Sequence, residues 1–271
     1  MYLDIESAYQ ITSRIAGIAL IISTLEEISL RKDYMSGGVY DLRYIDAALR
    51  HGDDARTRTR VLDRSKLHIT WPVVRLAAAL TLLLGPNTMV QMAISWTIVA
   101  LTTVAIQGRH RLGGEDGSDQ MITILAISFS VALIFGFCPG VREAGLYFIG
   151  AQSVLAYTTA GIAKLLCPEW RSGIAVCGIL STRSHGMRGA AKVVQRSRAL
   201  QYLLCWSTIA FEVAFLSAPL LSPMPLTALL IVAIIFHASI AIVMGLNGFF
   251  WAFVSTYPSI FFLNEAIGAH L

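Results

Sequence analysis

One lysine lies inside or at the edge of an apolar stretch in the second half of the chain. Lys164 is preceded by largely apolar sequence that runs back to Gly145. An ammonium group inside a bilayer costs about 3 kcal/mol or more unless it is paired, neutralised or reached by water, so such a lysine is a functional-site hypothesis by default. A desolvated lysine can also lose its proton near neutral pH and act as a base. The alternative is that Lys164 extends from its helix end to the lipid headgroups.

Helical spacing places an aromatic and two small residues on the same face as Lys164. Tyr157, Ala160 and Gly161 precede the lysine by seven, four and three residues, which are separations that share a helix face. The small side chains of Ala160 and Gly161 allow another helix or a ligand to approach closely.

Two later apolar stretches each carry an ionisable residue near the middle, Glu212 and His237. Hydrocarbon offers neither side chain a hydrogen-bond partner, so each is expected to face the interior of a helical bundle. Because buried charges are usually paired, one hypothesis is a polar pocket that Glu212 and His237 share with Lys164. The alternative is that each residue makes an interhelical hydrogen bond that only holds the bundle together.

The composition indicates a membrane protein. The chain has 271 residues, of which 55% are hydrophobic and 14% charged, and this is far more apolar than a soluble domain of the same length. About 20 apolar residues are needed to cross a bilayer as a helix. We therefore predict an all-α fold, a polytopic helical membrane bundle of about eight spans that forms one transmembrane domain over residues 1–271. The expected spans are residues 8–30, 69–85, 88–107, 119–138, 144–166, 201–221, 226–245 and 249–264.

Two of these spans are short and carry interruptions. The second contains Arg75, and the last is broken by Pro258, so both could be re-entrant or interfacial. We interpret Arg75, together with Arg14, Glu26 and Glu27 in the first span, as topology and packing residues rather than site residues.

Basic residues are concentrated in three polar segments. Residues 31–66 hold nine of them, residues 109–111 two and residues 171–198 six, which makes 17 of the 21 lysines and arginines. With eight spans these segments share one side, and the positive-inside rule makes that side cytoplasmic. Within the segments, Val39 to Leu49 is expected to be a surface helix, and Ile174 to Leu180 a re-entrant or interfacial piece.

Several kinds of chemistry have no support in the sequence. The six histidines show no HxxH or HxxxH spacing, and there is no GxGxxG motif or P-loop. The four cysteines form no CxxC pair and are expected to be free thiols. Basic residues without interleaved aromatic residues argue against nucleic acid as a partner.

Three segments together resemble the HTTM family of membrane proteins, the bacterial relatives of the vitamin K-dependent gamma-carboxylases. The resemblance covers about residues 110 to 262. It is carried by Tyr157-x-x-Ala160-Gly161-x-x-Lys164-Leu165 with Trp170-x-x-Gly173, by Phe211-Glu212, and by Phe236-His237-x-x-Ile240-x-x-x-Met244-Gly-Leu-Asn247-x-Phe249 with Tyr257-Pro258.

The resemblance implies a catalytic role for one residue and binding roles for others. In the carboxylases, the lysine at the position of Lys164 deprotonates a lipid-soluble hydroquinone, so a quinone or vitamin K-like hydroquinone is the expected cofactor. The residues that would line or bind the substrate or cofactor are Tyr157, Gly161, Glu212, His237 and Asn247. The carboxylases also have a functional histidine where this chain reads Ser118 to Met121, so oxygen chemistry and carboxylation do not follow from the resemblance.

The expected function is that of an integral membrane enzyme that uses an intramembrane lysine base on a quinone-like, lipid-soluble molecule. A small peptide is the expected second substrate, and the bacterial inner membrane is the expected location. The alternative is a non-catalytic membrane protein, such as an immunity, lipid-binding or peptide-toxin maturation or export factor, in which the polar residues are structural. A transporter is a third possibility, which the sequence favours less because neither a pair of broken helices nor an inverted repeat is apparent.

Overall fold

A computed structural model describes residues 3–30, 67–107, 117–182 and 186–268 of the chain. Within these ranges the protein consists of helices and connecting turns and contains no β-strand, which confirms the all-α prediction. The expected surface helix at Val39 to Leu49 lies outside the described residues. The four cysteines are free thiols, as expected.

The described part of the chain contains twelve α-helices and one 3₁₀-helix. They are α1 (Ile5–Ser29), α2 (Leu67–Leu84), α3 (Met89–Gln107), α4 (Gly117–Ile134), α5 (Val141–Leu166), α6 (Pro168–Arg171), α7 (Ala175–Leu180), α8 (Arg188–Gln195), α9 (Arg198–Ala214), η1 (Phe215–Leu220), α10 (Pro223–Met244), α11 (Asn247–Val254) and α12 (Tyr257–Gly268).

Five of these helices are long and apolar enough to cross a membrane. They are α3, α4, α5, α9 together with η1, and α10, and they correspond to the third through seventh spans expected from the sequence. The expected total of about eight spans is not confirmed. Helix α1 is 25 residues long but carries four charged side chains, and the apolar part of α2 is limited to Thr70–Leu84.

The last expected span consists of two short helices. Helix α11 ends at Val254 and α12 begins at Tyr257. At the break, the hydroxyls of Ser255 and Thr256 donate to backbone carbonyls three residues earlier, at 2.6 and 2.8 Å. Pro258 lies in the first turn of α12, where its missing N–H leaves no helical hydrogen bond unmade.

Two compact units make up the chain, residues 1–12 with 142–271, and residues 13–141. In the second unit, the guanidinium of Arg75 donates to the carboxylate of Glu27 at 2.9 Å and to the hydroxyl of Thr24 at 2.8 Å. Arg75 is buried in this contact. An arginine that joins α1 to α2 in this way serves packing, which agrees with the interpretation drawn from the sequence.

In the first unit, the polar segment between α5 and α9 folds into three short helices. The expected piece at Ile174 to Leu180 is helix α7, only six residues long. Its Leu180 packs against Ala191 and Val194 of α8. The segment is therefore ordered by a small apolar cluster that it shares with the neighbouring helices α9 and α10.

Candidate functional site

The Lys164 side chain forms an ion pair with Glu212. The ammonium Nζ lies 2.8 Å from Oε1 and 2.7 Å from Oε2 of the carboxylate. The Lys164 side chain is 22% exposed and that of Glu212 only 6%. Both carboxylate oxygens accept a hydrogen bond from the ammonium. Each charge is therefore balanced by its partner, which neither apolar helix could do alone.

A glycine brings the two helices close enough for this contact. A methyl group at Gly161, one turn before the lysine, would lie 2.8 Å from the backbone nitrogen of Val213 and 2.9 Å from the Cβ of Glu212. Any larger residue would therefore push α5 away from α9. Gly161, one of the two small residues expected to allow close approach, does so here toward another helix.

The pair lies well inside the span formed by α9 and η1. Glu212 follows Arg198, the first residue of α9, by 14 positions, or about 21 Å at the rise of an α-helix. The chain after Lys164 runs alongside α9 in the direction of Arg198. This is shown by Trp206 of α9, whose indole N–H donates to the backbone carbonyl of Arg171 at 3.3 Å. Lys164 thus lies at the end of its own helix but beside the interior of the neighbouring one, and its ammonium contacts a carboxylate rather than extending to a helix terminus.

An aromatic ring covers another side of the ammonium. The Nζ of Lys164 lies 5.2 Å from the centre of the Trp170 ring, within the range of a cation–π interaction. Trp170 belongs to α6, which starts at Pro168, two residues after the end of α5. The break between α5 and α6 therefore turns an aromatic face toward the lysine six residues earlier in the chain.

A second polar group consists of three residues joined by hydrogen bonds. The hydroxyl of Tyr157 lies 2.5 Å from Nε2 of His237 and 2.9 Å from the hydroxyl of Tyr257. All three side chains are buried. The Nδ1 atom of His237 is also buried and has no hydrogen-bond partner among the described residues. An unpaired polar atom in the interior costs about 1–3 kcal/mol. This nitrogen is therefore an atom of the group that is available for a further hydrogen bond.

Aromatic rings enclose this Tyr–His–Tyr group. The ring of Tyr157 is stacked on Phe215 at 3.7 Å between centroids, and that of His237 on Phe253 at 4.9 Å. Three more phenylalanines contact these rings, namely Phe211, Phe236 and Phe249. In such apolar surroundings a hydrogen bond is electrostatically stronger than it would be in water.

The single pocket expected from the sequence is resolved into two hydrogen-bonded groups. Lys164 and Tyr157 lie about 10 Å apart along α5, from seven residues at the helical rise. Lys164 bonds with Glu212, whereas His237 bonds with Tyr157. Phe211, the neighbour of Glu212 on α9, lies against the Tyr157 ring at 5.9 Å, so apolar packing connects the two groups.

Asn247, another residue expected to bind a ligand, belongs to neither group. It is exposed and begins α11. Tyr257 is a member of the Tyr–His–Tyr group that sequence reasoning did not select as a site residue. Tyr257-Pro258 entered only as part of the resemblance, and that place in the motif is the signal that could have found it.

Comparison with known protein families, curated proteins and solved structures gives no match for this chain. Among the residues that the structure describes, no group of three or more histidine, cysteine, aspartate or glutamate side chains could hold a metal ion. In the part of the chain that the structure describes, the fold and the site define a helical protein with five helices long enough to span a membrane, a partly buried ion pair and a buried Tyr–His–Tyr group. The functional interpretation rests on the geometry of those groups.

Proposed function

We propose that the protein is an integral membrane enzyme in which Lys164 performs acid–base chemistry on a lipid-soluble, quinone-like molecule, as the resemblance to the HTTM family implies. The observation that carries the proposal is the contact of Lys164 with Glu212 beside the interior of an apolar helix. With this span in a bilayer, the amine, whose side chain is 22% exposed, would lie within reach of a molecule dissolved among the lipids.

A base must be free of its proton before it can accept another. Glu212 supplies a place for that proton, because both of its oxygens lie within 2.8 Å of Nζ. Transfer from Nζ to the carboxylate converts the ion pair into a neutral amine and a neutral acid. Both neutral forms are tolerated in an apolar interior, where isolated charges are not. The amine would then accept a proton from a hydroxyl of the bound molecule.

The Tyr–His–Tyr group would hold the polar edge of that molecule. Its Tyr157 and Tyr257 hydroxyls and the unpaired Nδ1 of His237 are hydrogen-bonding atoms among aromatic rings. A planar aromatic ring that carries oxygen atoms suits such surroundings, since it can stack on phenylalanine while its oxygens bond to these groups. A quinone or hydroquinone has this chemistry.

The peptide substrate and the cellular location complete the proposal. A small peptide would be the second substrate, and the bacterial inner membrane the location. Both come from the resemblance carried by the Lys164 and His237 segments, and the five long apolar helices support a location in a membrane.

A non-catalytic role is the second candidate, and one observation favours it. The ammonium of Lys164 already has two carboxylate oxygens and the Trp170 ring as neighbours. Such an ion pair is sufficient to hold α5 against α9 without chemistry. In that case the protein would be a non-catalytic factor, such as an immunity, lipid-binding or peptide-toxin maturation or export factor.

Arginine at position 164 separates the two candidates. A guanidinium can pair with the Glu212 carboxylate in bidentate fashion, yet it stays protonated and cannot serve as a base. If Lys164 is the base, Lys164→Arg and Lys164→Ala both abolish the activity that cells lose on deletion of the protein, while Lys164→Arg unfolds near the wild-type temperature in detergent. Lys192→Arg, at an exposed lysine of α8, is the matched control and keeps full activity. A fully active Lys164→Arg protein would leave the structural role standing.

A further inference from the structure

A long stretch of the chain around α8 carries positive charges without any acidic residue. No aspartate or glutamate occurs between Glu169 and Glu212. The same stretch contains six basic residues, which are Arg171, Arg183, Arg188, Lys192, Arg196 and Arg198. Salt bridges within this stretch therefore cannot neutralise them, and such an excess of positive charge attracts anions.

Helix α8 arranges three of these basic residues along one face. Arg188, Lys192 and Arg196 are spaced by four residues and all are exposed. The backbone is still helical at Arg196, with φ −70° and ψ −19°. Residues four apart differ by about 40° around a helix, so the three charges occupy one narrow arc.

The opposite arc of α8 is attached to the protein. Ala191 and Val194 are buried against Leu180 of α7. The same cluster includes Leu200 from the start of α9 and Val243 from the end of α10. Helix α8 is thus fixed to the ends of two helices that are long and apolar enough to cross a membrane.

Helix α9, which follows α8, carries exposed aromatic side chains of the kind found at membrane surfaces. The guanidinium of Arg198 lies over the ring of Tyr202 at 5.3 Å, and Tyr202 and Trp206 are partly exposed at 40% and 42%. Tyrosine and tryptophan are enriched at the level of lipid headgroups. Beside the basic arc, Met187 and Val193 are 50% and 58% exposed, which places apolar side chains next to the charges.

We propose that α8 is a binding surface for anionic phospholipids. Arg188, Lys192 and Arg196 would contact the headgroup phosphates, and Met187 and Val193 would contact the acyl chains. A helix with one basic face and neighbouring apolar side chains lies at the boundary of headgroups and acyl chains in this way. This surface is separate from the proposed function, because none of these residues belongs to either polar group of the candidate site.

A lipid fits this surface better than a soluble acidic partner does. The charges lie next to the ends of α9 and α10, where the first layer of headgroups would be found. Helix α8 itself has no aromatic side chain on which nucleobases could stack. A soluble partner also gives no reason for the exposed apolar residues beside the charges.

Lipid retention by the purified protein tests the proposal. The protein in a neutral detergent is mixed with equal amounts of phosphatidylglycerol and phosphatidylcholine, and the bound lipids are counted by native mass spectrometry. Each basic residue near an anionic surface contributes about fivefold in binding. Wild type is expected to retain phosphatidylglycerol at least tenfold over phosphatidylcholine, and Arg188→Gln/Lys192→Gln/Arg196→Gln is expected to lose that preference.

Charge-conserving changes provide the control for folding. Arg188→Lys/Lys192→Arg/Arg196→Lys keeps all three charges and is expected to keep the lipid preference. The glutamine variant is expected to unfold near the wild-type temperature in phosphatidylcholine and to lose only the extra stability that phosphatidylglycerol gives the wild type. Equal retention of the two lipids by the wild type would overturn the proposal. An undiminished preference in the glutamine variant would also overturn it. So would displacement of phosphatidylglycerol by an acidic peptide or an oligonucleotide added at equal concentration.

Discussion

The free energy that couples Lys164 to Glu212 can be measured with a double-mutant cycle. Lys164→Met keeps an unbranched side chain that is one atom shorter and removes the charge, leaving a carboxylate that is only 6% exposed without its cation. Removal of one partner of a buried ion pair costs about 3–5 kcal/mol. We expect about 3 kcal/mol, the lower end, because the lysine side chain is 22% exposed. Glu212→Gln keeps one oxygen acceptor for the ammonium and is expected to cost about 2 kcal/mol.

The double variant tells whether the two residues act on each other. Lys164→Met/Glu212→Gln leaves no uncompensated charge, so we expect it to cost about 3 kcal/mol in total, and the coupling energy to be about 2 kcal/mol. The free energy of unfolding would be measured in mixed detergent micelles from tryptophan fluorescence, for which the chain has five tryptophans. Lys192→Met, at an exposed lysine, is the control and should change stability by less than about 0.5 kcal/mol. Additive effects of the two site changes would refute the argument that the carboxylate holds the lysine in the interior.

Three further predictions use the same unfolding measurement. Gly161→Ala should destabilise the protein by about 1–3 kcal/mol, because its methyl group would lie 2.8 Å from backbone of α9. Gly178→Ala, with open space around its methyl group, should be neutral or stabilising, and equal effects at the two positions would contradict the close approach of α5 and α9. Asn264→Leu should cost about 2 kcal/mol, since the Asn264 amide donates to two carbonyls at the end of η1 at 2.9 and 2.8 Å; a neutral result would show that these carbonyls find other partners. Tyr157→Phe should cost more than Tyr257→Phe, because the Tyr157 hydroxyl takes part in two hydrogen bonds of the group and that of Tyr257 in one; the reverse order would mean that the group is not centred on Tyr157.

Local sequence properties determined the class of the fold. A helix that crosses a membrane needs about 20 consecutive apolar residues, and such a run can be recognised within a single segment of the sequence. The third through seventh expected spans are therefore found as long apolar helices. The first, second and last expected spans are not confirmed, because α1 carries four charged side chains, the apolar part of α2 is short, and the last segment consists of two short helices.

The polar residues of the candidate site were also visible in the sequence. Lys164, Glu212 and His237 stand out because a charged or polar side chain in an apolar segment needs a partner. The sequence thus identified which residues require partners. The sequence did not indicate which partner each of these residues binds.

Only the tertiary structure decided the pairing and its depth. Glu212 lies 48 positions from Lys164, His237 lies 80 positions from Tyr157, and Tyr257 lies 100 positions from Tyr157. Such contacts depend on how each helix is rotated and how far it is shifted along its neighbour, which hydropathy does not encode. Close packing at Gly161 constrains the rotation and the shift of α5 relative to α9. For that reason the lysine at the end of one helix lies beside the interior of the next, where a carboxylate rather than a lipid headgroup balances its charge.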